Sequence, residues 1–251
     1  MPSFSSDGVT IDYLDEGEGP AVLLIHGFAS NRMVNWVNTS WTTLLKRAGY
    51  RVLAIDNRGH GKSEKLYDPA QYRAELMAAD AIRVLDHAGV EKAAIFGYSM
   101  GARIAAFATV AAPERVWALV IAGLASNLIA GIGGSEEIAE ALEAASPSDV
   151  ADDEARAFRI FAGQTGADRK ALAACIRASR QAFSEASAAS IDVPTLVVAG
   201  ELDEIAGSAD GLAALIPGAK ALTLPGRDHM SAVGDKLHKS EVVAFLDATR
   251  M

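Results

Sequence analysis

One cysteine, Cys175, stands among 251 residues, so no disulfide can close within the chain. That fits a reducing compartment. Basic residues are also short, with 23 Lys and Arg against 32 Asp and Glu and a formal net charge of −9. Such a balance argues against nucleic acid or an anionic membrane surface as the main partner. No apolar run approaches the roughly 20 residues that span a bilayer. The opening stretch MPSFSSDGVT lacks the basic-then-apolar pattern of a secretion signal. The expectation is a cytoplasmic protein with no nucleic-acid and no membrane partner; the sequence says nothing of oligomeric state. Histidines number five, none paired as His-x-x-x-His, and one thiol makes no metal cluster. The GIGG at 131–134 follows no strand-like run and completes no dinucleotide fingerprint. Chemistry without metal or cofactor is therefore expected.

Apolar residues, by contrast, make up half the chain, enough for one large α/β domain. Short runs at 21–25, 51–55, 93–96, 116–122 and 195–199 are almost continuously apolar and end at Gly, Pro, Asp or Asn. Strands covered on both faces of a parallel sheet have this pattern. Residues 10–14 (TIDYL) alternate instead and, with 15–20 as the turn, predict an antiparallel edge hairpin; 219–224 predicts a last strand. Helical stretches fall at 70–88, 100–111, 208–215 and 232–249, so strand and helix alternate as in a doubly wound fold. Between 123 and 190 the alternation stops. Three helical stretches, 135–145, 149–162 and 168–186, occupy that region without a strand. They predict a helical cap inserted into a core formed by 1–122 and 191–251.

Within this pattern, Gly97-Tyr98-Ser99-Met100-Gly101 places a serine where a strand must become a helix. Glycine and serine suit an ordinary tight turn. A serine there can also be a nucleophile, if a base takes its proton and an acid orients the base. His229, in a polar turn after the predicted last strand, can supply the base; Asp203, after the 195–199 strand, can supply the acid. Glu204 is the second choice for the acid, and Asp228 adjoins His229 too closely in sequence to face it. Of the other histidines, His87 suits a helix C-terminus and His238 a solvated helix. Asp80 and Asp86 are expected on a helix surface. Arginines 156, 159, 169, 177 and 180 of the insertion are expected to be ion-paired or exposed, with an anionic substrate as the alternative.

The chain resembles the α/β-hydrolase superfamily. The residues that carry this are Gly97-x-Ser99-x-Gly101, His26-Gly27-Phe28 after the first apolar strand, and Asp56-x-Arg58-Gly59-His60-Gly61-x-Ser63. Asp203 and His229 follow Ser99 in the family's Ser, Asp, His order. The resemblance implies a mostly parallel eight-stranded sheet with helices on both faces and a helical cap. It implies Ser99, His229 and Asp203 as catalytic triad. The backbone N–H groups of Phe28 and Met100 would form an oxyanion hole, with His26 and His60 bracing the loops around it. Where the family often has a further glycine after Gly101, this chain has Ala102.

The resulting expectation is a serine hydrolase, foremost a carboxylesterase acting with water on small to medium hydrophobic esters. Tyr98, Phe28, Met100 and Met230 would crowd the reacting centre. Carbon–carbon bond hydrolases, enol-lactonases and cofactor-free perhydrolases share this type of elbow and stay open. Branches that use a carboxylate nucleophile are disfavoured, because residue 99 is serine. A ligand-binding receptor on the same scaffold, with incidental hydrolysis, is the reading of another class.

Overall fold

The computed structural model describes residues 2–250. Its sheet has the order β1-β2-β4-β3-β5-β6-β7-β8, with β1 at Ser3–Ser6, β2 at Val9–Glu16, β3 at Ala21–Ile25 and β4 at Arg51–Ile55. The remaining strands are β5 (Ala93–Tyr98), β6 (Val116–Ala122), β7 (Thr195–Gly200) and β8 (Lys220–Leu224). From β4 onward through β3 to β8 every pairing is parallel, while β2 is antiparallel to both β1 and β4.

The edge hairpin forms at a different place from the one predicted. Its turn is Asp7-Gly8, both residues left-handed (φ 49 and 82), the geometry of a two-residue hairpin loop. The 15–20 segment instead carries the chain past β4, which lies between β2 and β3. Arg51 on β4 grips Asp15 on β2 with two bonds of 2.9 and 2.7 Å and holds the strands together.

Successive strand residues point to opposite faces, and two apolar layers follow. Leu23, Ile25, Ile95, Leu119 and Val197 face one layer, with α2 (Ala74–His87) and α3 (Met100–Ala111). Val22, Leu24, Phe96, Val120 and Val198 face the other, where Trp41 and Leu45 come from α1 (Trp41–Arg47). Full burial of each such side chain contributes about 1.5–3 kcal/mol, which is why central strands read as unbroken apolar runs.

Between β6 and β7 the described residues form no strand. They form α4 (Asn127–Ala130), α5 (Ser135–Glu143), α6 (Asp153–Thr165), α7 (Arg169–Ser179) and α8 (Glu185–Ala189). The stretch expected at 168–186 is thus two helices, because Ser184 caps a new one by accepting the Ser187 N–H at 3.0 Å. Likewise α6 starts at Asp153, later than the predicted 149, where Asp152 caps it. Ile138, Leu142, Leu172, Ile176 and Phe183 join the layer that contains Phe28, Met100 and Leu124, so these helices roof the carboxyl ends of β3 and β5. After β7 come α9 (Ala209–Ala213) and, after β8, α10 (Lys236–Thr249), which packs on β6 and β7.

Three expectations of surface exposure or pairing fail, one at Arg159, which is buried with no ion pair among the described residues. Asp80 on α2 is buried, held by Arg58 at 2.7 and 2.8 Å and by the Ser6 hydroxyl at 2.5 Å. His238 is buried too, edge-on to the Trp41 ring at 5.0 Å, with Nδ1 donating to the Ala232 carbonyl at 2.9 Å. Asp80 and His238 are both pinned by partners far away in sequence.

Candidate active site

The chain runs from β3 outward to β4, then returns to place β5 on the other side of β3. A crevice opens where such a sheet reverses its winding, outside the carboxyl ends of the strands. Gly27 and Phe28 follow β3 there, and Ser99 follows β5.

Ser99 has φ 55 and ψ −117, outside the helical and extended regions and costly for a residue with a side chain. Its N–H is fixed to the Ala122 carbonyl at 2.8 Å, and its carbonyl accepts the Ala102 N–H at 2.9 Å. The turn is so sharp that a Cβ on Gly97 would meet Ala102 Cα at 2.6 Å, backbone that cannot yield. The glycine therefore permits the strand to fold directly into α3 with Ser99 at its tip.

The His229 Nε2 lies 3.1 Å from Ser99 Oγ, and Nδ1 lies 2.9 and 3.0 Å from the two Asp203 oxygens. Asp203 Oδ1 also accepts the Ala206 N–H at 3.0 Å, so the carboxylate acts as an acceptor and Nδ1 carries the ring proton. Nε2 is left to accept from the serine. Asp203 is buried, whereas His229 is partly open to the crevice. The Tyr98 hydroxyl donates to the His229 carbonyl at 2.6 Å and clamps the loop after β8; burial raises the phenol well above its ordinary pKa. Glu204, the second choice for the acid, is exposed, and Asp228 instead accepts the Met230 and Ser231 N–H groups.

Neither the Phe28 nor the Met100 N–H has a hydrogen-bond partner among the described residues. The loop that carries Phe28 is held from behind. His26 Nδ1 donates to the Gly27 carbonyl at 2.8 Å, and His60 Nε2 accepts the Ala29 N–H at 3.3 Å. Burial pushes the His26 pKa down to about 4 and that of His60 to about 3, with His26 adding to the latter. Asp56 holds the neighbouring loop through the Arg32 guanidinium at 2.6 Å and the Lys62 N–H at 2.8 Å.

Above Ser99 lies a cavity of about 180 Å³, walled by apolar groups that include Phe28, Leu124, Ile132, Phe158, Phe161 and Ile176. Tyr98, Met100 and Met230 line it as well, Met230 while 59% exposed. Among the polar members of this wall, sequence reasoning missed Asn35 and Arg103, whereas Arg180 is one of the insertion arginines for which an anionic substrate was the alternative. Asn35 sits on a π-helical turn, Met33–Val37, and its Oδ1 accepts the Gly27 N–H at 3.0 Å. Such turns recur at functional sites, but the sequence gives them no simple signature. Arg103 falls four residues after Ser99, one helical turn along α3, which could have drawn attention. Arg177, as expected, is ion-paired, to Glu136 and Glu143; Arg180 is half-buried at the cavity and has no ion pair among the described residues.

A family model described as the alpha/beta hydrolase fold matches residues 20–151. Epoxide hydrolase 3 of Siraitia grosvenorii is 34% identical over 119 residues, 47% of this chain and 36% of that protein. The chain thus matches about a third of that relative's length. A hydrolase from Pseudomonas aeruginosa PA01 superposes with a TM-score of 0.81 at 27% identity, covering 98% of this chain and 97% of that one. The enol-lactonase from Burkholderia xenovorans LB400 gives 0.82 at 23% identity over 98% and 100%, a likeness of fold.

Proposed function

Because the chain belongs to the alpha/beta hydrolase fold family, we propose that it is a serine hydrolase, a carboxylesterase cleaving small to medium hydrophobic esters in the cytoplasm. The single observation behind this reading is the continuous relay from Ser99 through His229 to Asp203, opening on an apolar cavity.

Ser99 Oγ attacks the ester carbonyl carbon as its proton passes to His229 Nε2. Asp203 holds the imidazole in the required tautomer and stabilises the imidazolium that forms. The carbonyl oxygen becomes an oxyanion, received by the N–H groups of Phe28 and Met100; one such donor is worth about 3 kcal/mol in the transition state. The tetrahedral adduct collapses and the alcohol leaves with the proton from Nε2, so Ser99 keeps the acyl group. Water then gives its proton to Nε2, attacks the acyl carbon, and the acid departs as Ser99 regains its proton.

Several relatives are named epoxide hydrolases, but the chemistry of residue 99 argues against that reaction here. A serine oxygen that opened an epoxide would be left as an alkyl ether, which the site has no means to cleave. A carboxylate nucleophile would instead leave an ester, open to water. Hydrolysis of p-nitrophenyl esters from acetate to decanoate, by wild type beside Ser99→Ala, tests the proposal. Turnover with a chain-length optimum, lost by several orders of magnitude in the variant, is expected. Equal rates in both proteins, or none in well-folded wild type, would overturn it.

A further inference from the structure

Arg103 is 2% exposed, yet its guanidinium is only partly satisfied. Nη1 donates to the Gln181 carbonyl just beyond α7, and Nη2 is buried without a partner among the described residues. Arg180, half-buried, makes one side-chain hydrogen bond among the described residues, from Nη1 to the Gly133 carbonyl. Both side chains line the cavity above Ser99, whose walls contain no Asp or Glu among the described residues. Burial, followed by the proximity of Arg180, pushes the Arg103 pKa down to about 10. Burial likewise lowers that of Arg180, against a through-space pull from Glu154.

Two cations held near each other in an apolar cavity, with a donor left unpaired, cost stability. Buried charges ordinarily find a counter-charge, and an unsatisfied charged donor is the costlier case. A structural link between α3 and the end of α7 needs only the Arg103 Nη1 contact. It explains neither the unpaired Nη2 nor the second arginine. An anion entering the cavity would meet both.

We propose that Arg103 and Arg180 form an anion subsite, and that the preferred substrate is an ester whose non-reacting end carries a carboxylate. This rests on the hydrolase reading of the same cavity. One carboxylate oxygen would accept from Arg103 Nη2 and the other from Arg180, while the ester carbonyl lies at Ser99. The apolar wall between them would accommodate a short methylene chain.

Binding of the monomethyl esters of the straight-chain diacids from succinic to suberic acid is measured by calorimetry on Ser99→Ala, beside their neutral dimethyl esters. One chain length should bind at least ten-fold tighter as the half-ester. Arg103→Met or Arg180→Met in the same background should shrink that ratio by about 10- to 100-fold, the scale of a charge-assisted hydrogen bond, while Arg103→Lys should retain part of it. A merely structural role would weaken both ligands alike and leave the ratio unmoved. The two arginine sites are tested separately, so misfolding of one variant leaves the other to decide.

No preference for the half-ester in Ser99→Ala, or one that survives both Met substitutions, overturns the subsite. If neutral p-nitrophenyl esters are still hydrolysed through Ser99 in that case, the hydrolase reading stands without it. If half-esters bind through the arginines but wild type leaves every ester intact, the subsite stands and the hydrolase reading falls.

Discussion

Acid should dismantle this protein from behind the loops that flank Ser99. His26 and His60 are fully buried, 5.2 Å apart, and each ring has one tautomer available. In His26, Nδ1 donates to the Gly27 carbonyl and Nε2 accepts the Asn57 N–H at 3.0 Å. In His60, Nδ1 donates to the Arg58 carbonyl at 2.9 Å and Nε2 accepts the Ala29 N–H. A further proton would have to sit on an Nε2 that already faces an N–H. Burial holds His26 near 4, His60 near 3 and the likewise buried His238 near 4, against about 6.5 in an unfolded chain. Above pH 6.5 the two states bind equal numbers of these protons and stability is full. Below it the unfolded chain binds more, and stability falls with pH until the folded protein protonates near pH 4. Each histidine gives a slope of about 1.4 kcal/mol per pH unit, so three give about 4. At pH 5 the loss reaches about 6 kcal/mol, comparable with the total of about 5–15 kcal/mol for a typical protein. Urea midpoints measured from pH 8 to 4.5 should therefore drop steeply below pH 6.5. His60→Gln should begin less stable at pH 8 and lose about a third of that slope. Asp228, held below its usual pKa by the Ser231 hydroxyl, titrates lower and falls outside this window. A midpoint unchanged between pH 7 and pH 5 would refute the reasoning.

Asp203→Asn should retain the fold and lose activity. The Asn oxygen would keep accepting from Ala206 N–H, its NH₂ would face Nδ1, and the proton would move to Nε2 against Ser99. kcat on p-nitrophenyl butyrate should fall about 10⁴-fold, with KM little changed; a fall under ten-fold would contradict the assigned tautomer. Gly101→Ala should be destabilising, because a Cβ there would meet the Ile25 carbonyl carbon at 2.6 Å and the His26 oxygen at 2.8 Å. Overpacking of this kind costs about 1–3 kcal/mol and should also displace the Met100 N–H, so both the melting temperature and kcat should fall. Gly133→Ala, with nothing within 4 Å, should leave the melting temperature nearly unchanged.

What the sequence disclosed followed from short-range rules. Unbroken apolar runs marked the central strands, because burial on both faces leaves no position for a polar side chain. Ser99 stood out because a strand cannot turn into a helix so sharply without glycines beside it. The Asp7-Gly8 signal for the edge hairpin was present but lay next to a strand of only four residues, too short to show alternation. His238 and Asp80 could not be placed, since their burial depends on Trp41 and Arg58, distant partners that only the folded chain supplies. Arg103 was hidden for the same reason. Its spacing from Ser99 is readable, but its orphaned Nη2 depends on α7 closing over the cavity.

The most direct test of the account is covalent trapping with a fluorophosphonate, which forms a phosphorus–oxygen bond with loss of fluoride only at an activated hydroxyl. Intact-mass and peptide analysis of the whole protein should find a single adduct at Ser99. Labelling should be absent in Ser99→Ala and strongly slowed in His229→Ala. An adduct at another residue, or equal labelling without His229, would contradict the claim that Ser99 is the nucleophile that this fold activates.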